Sequence, residues 1–262
     1  MSFTPPRTRA ELVGLAASLP DDSFFLEHSR AREIGYIERS FSRWAETIDV
    51  ARARLTGMEK LSCLDIGVSP FTFLLKGCFG QVHALDLTDA FRVRCQSAGI
   101  LLHAGGVTSL AELQRLEKVD CVFFLEVLEH LHINPVEVLR GIRSVLRPGG
   151  LLILSTPNMM CFANRIYMLC NRKLHHFTYP PFSLSDKAHG FGHDRVYMPA
   201  EMADYFAASG FHRIETLYQL NFDDMAHEHD NGWQRLKAIV PYVMKRAFPS
   251  TRNGIIMAAR NP

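Results

Sequence analysis

Two acidic residues stand where they can bind a nucleoside. Asp65 and Gly67 end the apolar run LSCLDIG, and Asp86 ends the next apolar run, VHALD, 21 residues after Asp65. A glycine directly after a buried strand lets backbone amides approach a ligand closely. An acid about 20 residues after such a turn is placed to accept hydrogen bonds from two ribose hydroxyls. A plain strand-to-helix turn and a helix cap are the alternatives, but the two features together favour binding of an adenosine group.

The turn itself departs from the usual glycine pattern, because Ser69 and Phe71 stand where further glycines are common. Serine is the smallest replacement that keeps a turn close to a ligand, provided that its φ is negative. Phe71 comes after the turn, where the next helix is expected to begin. We therefore expect an altered cofactor loop; a decayed loop, or merely a strand and its turn, are the alternatives.

A third group of polar residues follows the apolar run VDCVFFL. Glu126, Glu129 and His130 come just past this predicted strand, so they are expected at the mouth of the same crevice. A histidine titrates near neutral pH and can take the proton from an attacking hydroxyl. The alternative is that all three are solvated side chains at the start of a helix, where the dipole favours the acids.

Short β-rich runs alternate with helical stretches from residue 61 onward. The pattern predicts strands at 61–66, 81–86, 100–103, 119–125 and 150–155, and helices near 70–77, 89–98, 108–117 and 135–146. Such alternation predicts an α/β fold, doubly wound, with a mostly parallel sheet and helices on both faces. Two late runs, 211–219 and GIIMAA, complete seven strands, the final one antiparallel.

Four motifs in order, LDIG, ALDL, VDCVFFLEVLEHL and LRPGGLLILSTPN, resemble those of the class I S-adenosylmethionine-dependent methyltransferases. Within that family the chain is most similar to the branch with the ubiquinone-type O-methyltransferases and many natural-product and glycan methyltransferases. The likeness covers residues 60–156 well and HDRVYMPAEMADYFAASGF more loosely. It implies S-adenosyl-L-methionine as cofactor and S-adenosyl-L-homocysteine as product.

The resemblance also implies roles for single residues. Asp65 and Gly67 would lie along the amino-acid part of the cofactor, and Asp86 would hold the ribose hydroxyls with Leu87 against the adenine. The remaining implied positions are Ser69 in the altered loop and, on the methionine side, Leu125 and Glu126.

The resemblance and the periodicity together predict the domain organisation. Residues 7–56 carry helical periodicity and no strand signal, which predicts an N-terminal helical cap over residues 1–58. Residues 59–262 are expected to form the cofactor-binding methyltransferase domain, interrupted by a lid insert at 157–197 and a second insert at 221–250. A connection as long as the first insert is usually a lid or a binding segment.

Two histidines compete for the role of catalytic base. His193 in the predicted lid reaches the site only if that segment folds inward, with Arg195 and Tyr197 able to orient it. His130 is preferred because the fold places it beside the transferring methyl, although a charged Glu129 would hold it protonated. A metal site built on His189 and His193 is disfavoured, because glycines interrupt the spacing that a helical site needs.

Composition limits the remaining possibilities. The formal net charge of +2 gives no bulk electrostatic argument for nucleic acid, and six cysteines without a CxxC pair predict reduced thiols in a cytoplasmic protein. No apolar run approaches the roughly 18 residues of a membrane span. The stretch GWQRLKAIVPYVMKRAF is expected to be an ordinary amphipathic helix, and peripheral contact with a membrane surface or an anionic lipid-linked substrate stays open.

We therefore expect a methyltransferase that acts on a hydroxyl of a small molecule, a glycan or another sugar, or a lipid-linked intermediate. N- and C-methylation share this fold and stay as alternatives. A nicotinamide-dependent oxidoreductase would need a G-x-G-x-x-G turn, which GVSPFT lacks. A non-catalytic protein that keeps the fold is the remaining alternative, and the altered loop is its only support.

Overall fold

A seven-stranded sheet with helices on both faces forms the framework of the computed structural model. The model describes residues 7–18, 30–172, 174, 195–220 and 232–262. The strand order is β3-β2-β1-β4-β5-β7-β6, with β7 antiparallel to both of its neighbours and every other pair parallel. The predicted fold class is confirmed, including the antiparallel final strand.

The strands lie close to their predicted positions. They are β1 (Ser62–Ile66), β2 (Gln81–Asp86), β3 (Leu101–Ala104), β4 (Val119–Leu125), β5 (Leu146–Pro157), β6 (His212–Gln219) and β7 (Gly254–Arg260). Strand β5 begins earlier than predicted, because buried Leu146 already pairs with Val119 and the Pro-Gly-Gly turn forms an irregularity within the strand.

The helices differ more from the prediction. They are α1 (Arg9–Ser18), α2 (Arg30–Arg52), α3 (Pro70–Lys76), α4 (Arg92–Ser97), α5 (Leu110–Leu113), α6 (Pro135–Val145), α7 (Phe162–Leu169), α8 (Pro199–Ala208) and α9 (Gly232–Ala247). The predicted helices 89–98 and 108–117 are shorter in the structure, because turns precede them. Before α4, the backbone N–H of Arg92 donates to the carbonyl of Asp89, and before α5 the side chain of Ser109 caps the helix.

Successive side chains of the central strands pack in two different hydrophobic cores, one on each face of the sheet. Cys63 and Cys121 pack in the layer that contains α1, α2, α3 and α4, whereas their neighbours Leu64 and Val122 pack in the layer that contains α6 and α8. This alternation is what a strand buried on both faces requires, and it explains why the strands are apolar throughout. Helix α2 therefore shares a core with the sheet, through Trp44 among others.

The beginning of the predicted lid insert has regular structure. Helix α7 lies within it, and buried Asn158 donates from Nδ2 to the carbonyls of Ser250 and Arg252, at 3.1 and 2.8 Å. Arg165 also donates to the carbonyl of Ser250, at 3.1 Å. These bonds attach residues 158–165 to the segment before β7. Residues 173 and 175–194 of the insert lie outside the described residues.

All six cysteines carry free thiols, as predicted. Cys63, Cys95, Cys121 and Cys161 are buried, and Cys170 is exposed. Within the described ranges, no helix has both the length and the hydropathy to cross a membrane. The same part of the chain holds no cluster of histidine, cysteine and acidic side chains suited to a metal ion.

Candidate active site

Asp65 lies at the carboxyl end of β1 with only 2% of its surface exposed. Its Oδ2 accepts a 2.6 Å hydrogen bond from the hydroxyl of Thr72. Burial raises the pKa of Asp65 to about 7; the bond from Thr72 opposes this shift, and the nearby Asp86 carboxylate adds to it. Asp65 thus holds the first turn of α3 against the strand end.

The altered loop has the conformation that its serine needs. Gly67 has φ +89°, in the region that favours glycine, and a Cβ there would meet Cγ2 of Val127 at 3.4 Å. Ser69 has φ −150°, so its side chain costs no backbone strain. Its hydroxyl accepts from the backbone N–H of Phe71 at 3.2 Å, and its own N–H donates to Thr72 Oγ1 at 3.0 Å. Ser69 therefore caps α3 with its side chain, a hydrogen bond that a glycine at this position could not make.

Phe71 lies in the first turn of α3, as expected, and it is one of the residues that line the cleft described below. Its ring is buried and packs 5.3 Å from Phe123 of β4 and 6.3 Å from Trp44 of α2, measured between ring centroids. The aromatic side chain fills the layer between α2 and the sheet.

Asp86 ties the ends of β1 and β2 together. Its Oδ2 accepts from the backbone N–H of Val68 at 2.8 Å, and its Oδ1 accepts from the backbone N–H of Thr88 at 3.1 Å. A carboxylate has about four acceptor positions, so two remain for a ligand. The neighbouring Leu87 is 85% exposed, which leaves an apolar side chain uncovered beside the acid.

Glu126 follows β4 directly and has a strained backbone, with φ +54° in a residue other than glycine. Its Oε1 accepts a 2.6 Å hydrogen bond from the hydroxyl of Ser155, and its Oε2 lies 3.8 Å from a guanidinium nitrogen of Arg43. Strain of this kind concentrates at functional sites. The strained turn places the Glu126 side chain at the cleft beside Leu125 and Gly67.

Glu129 is not at the mouth of the crevice, which corrects the expectation from the sequence. Its side chain is fully buried, and its Oε2 accepts from Thr156 Oγ1 at 3.1 Å, whereas Oε1 has no hydrogen-bond partner among the described residues. Burial, reinforced by the Glu126 carboxylate, raises the pKa of Glu129 well above its usual range.

His130 ends a short 3₁₀ turn, Leu128–His130, that follows β4, and its side chain is half-buried. It does not line the cleft described below. His193 lies outside the described residues. Two residues later, the backbone N–H of Arg195 donates to the carbonyl of Glu129 at 3.3 Å, so the chain returns beside the His130 turn.

Arg195 and Tyr197 have structural partners. The Arg195 guanidinium pairs with Glu201 and lies 5.3 and 5.9 Å from the ring centroids of Tyr197 and Tyr205. Burial raises the pKa of Tyr197 to about 12. Both residues thus anchor the start of α8.

The strand ends and α2 enclose a cleft of about 180 Å³. The predicted residues Asp65, Gly67, Ser69, Leu125 and Glu126 line it. Ile66, Val68, Phe71 and Val127 also line the cleft. Further lining residues were not expected from the sequence: Tyr36, Arg43, Trp44 and Thr47 of α2, with Ser155 and Gln219. The four residues of α2 have the periodicity of any packed helix. Only the contact of α2 with the strand ends identifies them as part of the cleft.

A larger cavity, of about 430 Å³, is lined by residues such as Met58, Glu59 and Cys78. These residues precede β1 and β2, so the cavity opens at the amino ends of the strands. Ligands of open α/β sheets bind at the carboxyl ends, and we therefore assign the candidate active site to the smaller cleft.

The buried Glu129 gives a prediction on pH dependence. Because its pKa is higher in the folded state than the 4.5 of a free glutamate, the free energy of unfolding should fall as pH rises above about 4.5, by up to roughly 1.4 kcal/mol per pH unit. The variant Glu129→Gln should lack this contribution. Denaturant unfolding of both proteins across this pH range measures the difference. Glu137→Gln, at an exposed position, is the control and should keep the wild-type slope. Identical slopes in Glu129→Gln and wild type would contradict the assigned burial effect.

Comparison with protein families decides the class of this fold. Residues 36–216 match the family described as "Methyltransferase domain". The chain belongs to this methyltransferase family. Membership confirms the predicted enzyme class, a methyltransferase dependent on S-adenosylmethionine. The match begins within α2, so it includes the helix that covers the cleft. The comparison with curated proteins gave no match.

Solved structures show the same fold at low sequence identity. A S-adenosylmethionine-dependent methyltransferase from Archaeoglobus fulgidus has a TM-score of 0.52 and 16% identity, over 84% of this chain and 94% of that one. A chain from the complex of the Haloferax volcanii Trm112 methyltransferase activator with a protein described as a methyltransferase has a TM-score of 0.57 and 18% identity, over 96% and 98%.

A third structure contains a ligand. The phosphoethanolamine N-methyltransferase 2 of Haemonchus contortus, in complex with S-adenosyl-L-methionine, has a TM-score of 0.52 and 15% identity, over 92% of this chain and 60% of that one.

Proposed function

We propose that this methyltransferase transfers the methyl group of S-adenosylmethionine to a hydroxyl of a small molecule, a sugar or a lipid-linked intermediate, as in the ubiquinone-type and glycan branch of the family. One observation carries the cofactor part of the proposal. Asp65, Gly67 and Glu126 meet in one cleft, and the Asp86 carboxylate bonds to the backbone of the loop that forms its floor.

The adenosine part fits the open side of the cleft. Asp86 keeps two acceptor positions for the ribose hydroxyls, because the backbone donors of Val68 and Thr88 occupy only two of its four. Leu87 offers an exposed apolar surface for the adenine, whose burial would remove that side chain from water. The 180 Å³ cleft is below the 300–1,000 Å³ typical of ligand pockets, so it would hold only the amino-acid end.

The amino-acid part fits the charges within the cleft. A methionine end carries one ammonium and one carboxylate, and the cleft presents the Glu126 carboxylate and the Arg43 guanidinium 3.8 Å apart. Gly67 leaves room for this end at a position where any side chain would be strained. Leu125 contributes an apolar wall, and Ser69 fixes the loop by capping α3. Bound in this way, S-adenosylmethionine supplies an electrophilic methyl group.

The acceptor part of the proposal depends on a base. A neutral hydroxyl must lose its proton as it attacks, and a histidine is suited to take it. His130 is the first candidate, because it lies in the turn that follows β4, four residues after Glu126. His193 is the second candidate, because the chain passes the His130 turn two residues later.

Isotope labelling tests the acceptor atom. The purified protein is incubated with S-adenosylmethionine carrying a ¹³C methyl group and with a panel of sugars, phenols, lipid-linked sugars and amines. The ¹³C shift of the product distinguishes methyl groups on oxygen, nitrogen and carbon. We expect the label on oxygen, with formation of S-adenosylhomocysteine. Label on nitrogen or carbon alone would refute the acceptor assignment, and cofactor binding without transfer to any acceptor would support the non-catalytic alternative.

A further inference from the structure

The outward face of α9 is apolar, the reverse of what a helix on a soluble domain presents to water. Four large apolar side chains, two on each side of Pro241, are more than half exposed: Ile239 (52%), Val240 (59%), Tyr242 (57%) and Val243 (53%). At 100° per residue they occupy one continuous arc. Exposed arcs of this composition mark interaction surfaces.

Helix α7 packs against α9 and also carries exposed apolar side chains. Ile166 is 40% exposed and Leu169 is 83% exposed. We call these two side chains, together with the four of α9, the α7–α9 face. Helix α7 follows the carboxyl end of β5. The face therefore lies at the same end of the sheet as the cleft, where the parallel strands terminate.

The two helices that form the face contain basic residues and no acidic residue. Helix α9 contains Arg235, Lys237, Lys245 and Arg246 and no acidic residue, and α7 contains Arg165 and no acidic residue. Arg246 donates to the hydroxyl of Tyr242 at 3.1 Å, and its guanidinium lies 5.4 Å from the centre of that ring. An aromatic side chain beside a guanidinium suits the level of lipid headgroups.

We propose that the α7–α9 face binds the surface of an anionic lipid bilayer. Apolar side chains enter the boundary between headgroups and acyl chains, and basic residues near an anionic surface are attracted to its lipids. A second copy of the chain is the less favourable occupant. A two-fold interface would bring the positive charges of both copies together, which is repulsive.

Vesicle sedimentation of the full-length protein tests the proposal. Wild type should sediment with vesicles of phosphatidylcholine and phosphatidylglycerol, much less with phosphatidylcholine alone, and less at high salt. The double variant Val240→Glu, Val243→Glu should weaken binding by about tenfold or more, because it places two acids in the apolar arc. Val93→Glu on α4, where the side chain is 77% exposed, should leave binding unchanged.

A check of folding and a second pair of substitutions accompany the vesicle experiment. All variants should keep the wild-type circular dichroism and melting temperature, since the changed side chains are exposed; a conservative Val240→Ser, Val243→Ser pair replaces the glutamates if they do not. The proposal would be overturned if wild type did not sediment with anionic vesicles, or if the double variant bound them as well as wild type. So would an oligomer of wild type that the double variant dissociates without any vesicle binding, because the face would then bind protein.

Discussion

Asp86→Ala is expected to weaken the binding of S-adenosylmethionine by about 1.5–3 kcal/mol, or about 10- to 150-fold in Kd. The carboxylate would accept hydrogen bonds from both ribose hydroxyls, and it also holds the backbone N–H of Val68 in the loop below. Alanine removes both contributions, whereas Asp86→Asn keeps one oxygen acceptor and should lose less. Isothermal titration calorimetry with S-adenosylmethionine measures the three affinities.

The matched control for this prediction is Asp89→Ala. Asp89 is an exposed acid three residues away that pairs only with Arg92 within the described residues, at 3.6 Å, so its loss changes the local charge by the same amount without reaching the cleft. We expect wild-type affinity for this variant. A folded Asp86→Ala protein with wild-type affinity would remove Asp86 from the cofactor site.

His130→Gln is expected to lower kcat by roughly 10²- to 10⁴-fold while the affinity for S-adenosylmethionine barely changes. Glutamine is similar to histidine in size and polarity, but it cannot take the proton from the attacking hydroxyl. The acidic limb of the pH–rate profile should also disappear, since it reports protonation of the base. Steady-state kinetics with a methyl-accepting substrate across pH measure both effects.

His132→Gln is the control for the base, because His132 lies two residues further along and is exposed. Near-normal turnover of His130→Gln would exclude His130, and His193→Gln then tests the second candidate. If both variants keep near-normal turnover, the reaction needs no histidine base, and proximity and orientation carry the catalysis.

The sheet could be predicted from the sequence because each central strand is an apolar run bounded by turn residues. Asp65 and Asp86 could be placed at the carboxyl ends of two strands for the same reason, since they end two such runs. The glycine-poor loop could also be interpreted, because Ser69 has the negative φ that a side chain needs and Phe71 falls inside α3. At these positions the local sequence was sufficient to predict the structure.

Positions that depend on tertiary contacts were not predictable. Arg43 and Tyr36 line the cleft only because α2 packs across the strand ends, and a helical pattern is the same wherever the helix packs. Glu129 was expected in the crevice, and it is buried instead because the 3₁₀ turn after β4 directs it to Thr156. Helix α7 was missed because its short pattern stands in a segment without regular periodicity.

A crystal structure of the protein with S-adenosylhomocysteine tests most directly whether the cofactor binds at the carboxyl ends of β1, β2 and β4. We expect the amino-acid end between Gly67 and Glu126 and both ribose hydroxyls on the Asp86 carboxylate. Density for the ligand in the cavity beside Met58 and Cys78, at the opposite end of the strands, would contradict this placement. So would a ribose that makes no contact with Asp86.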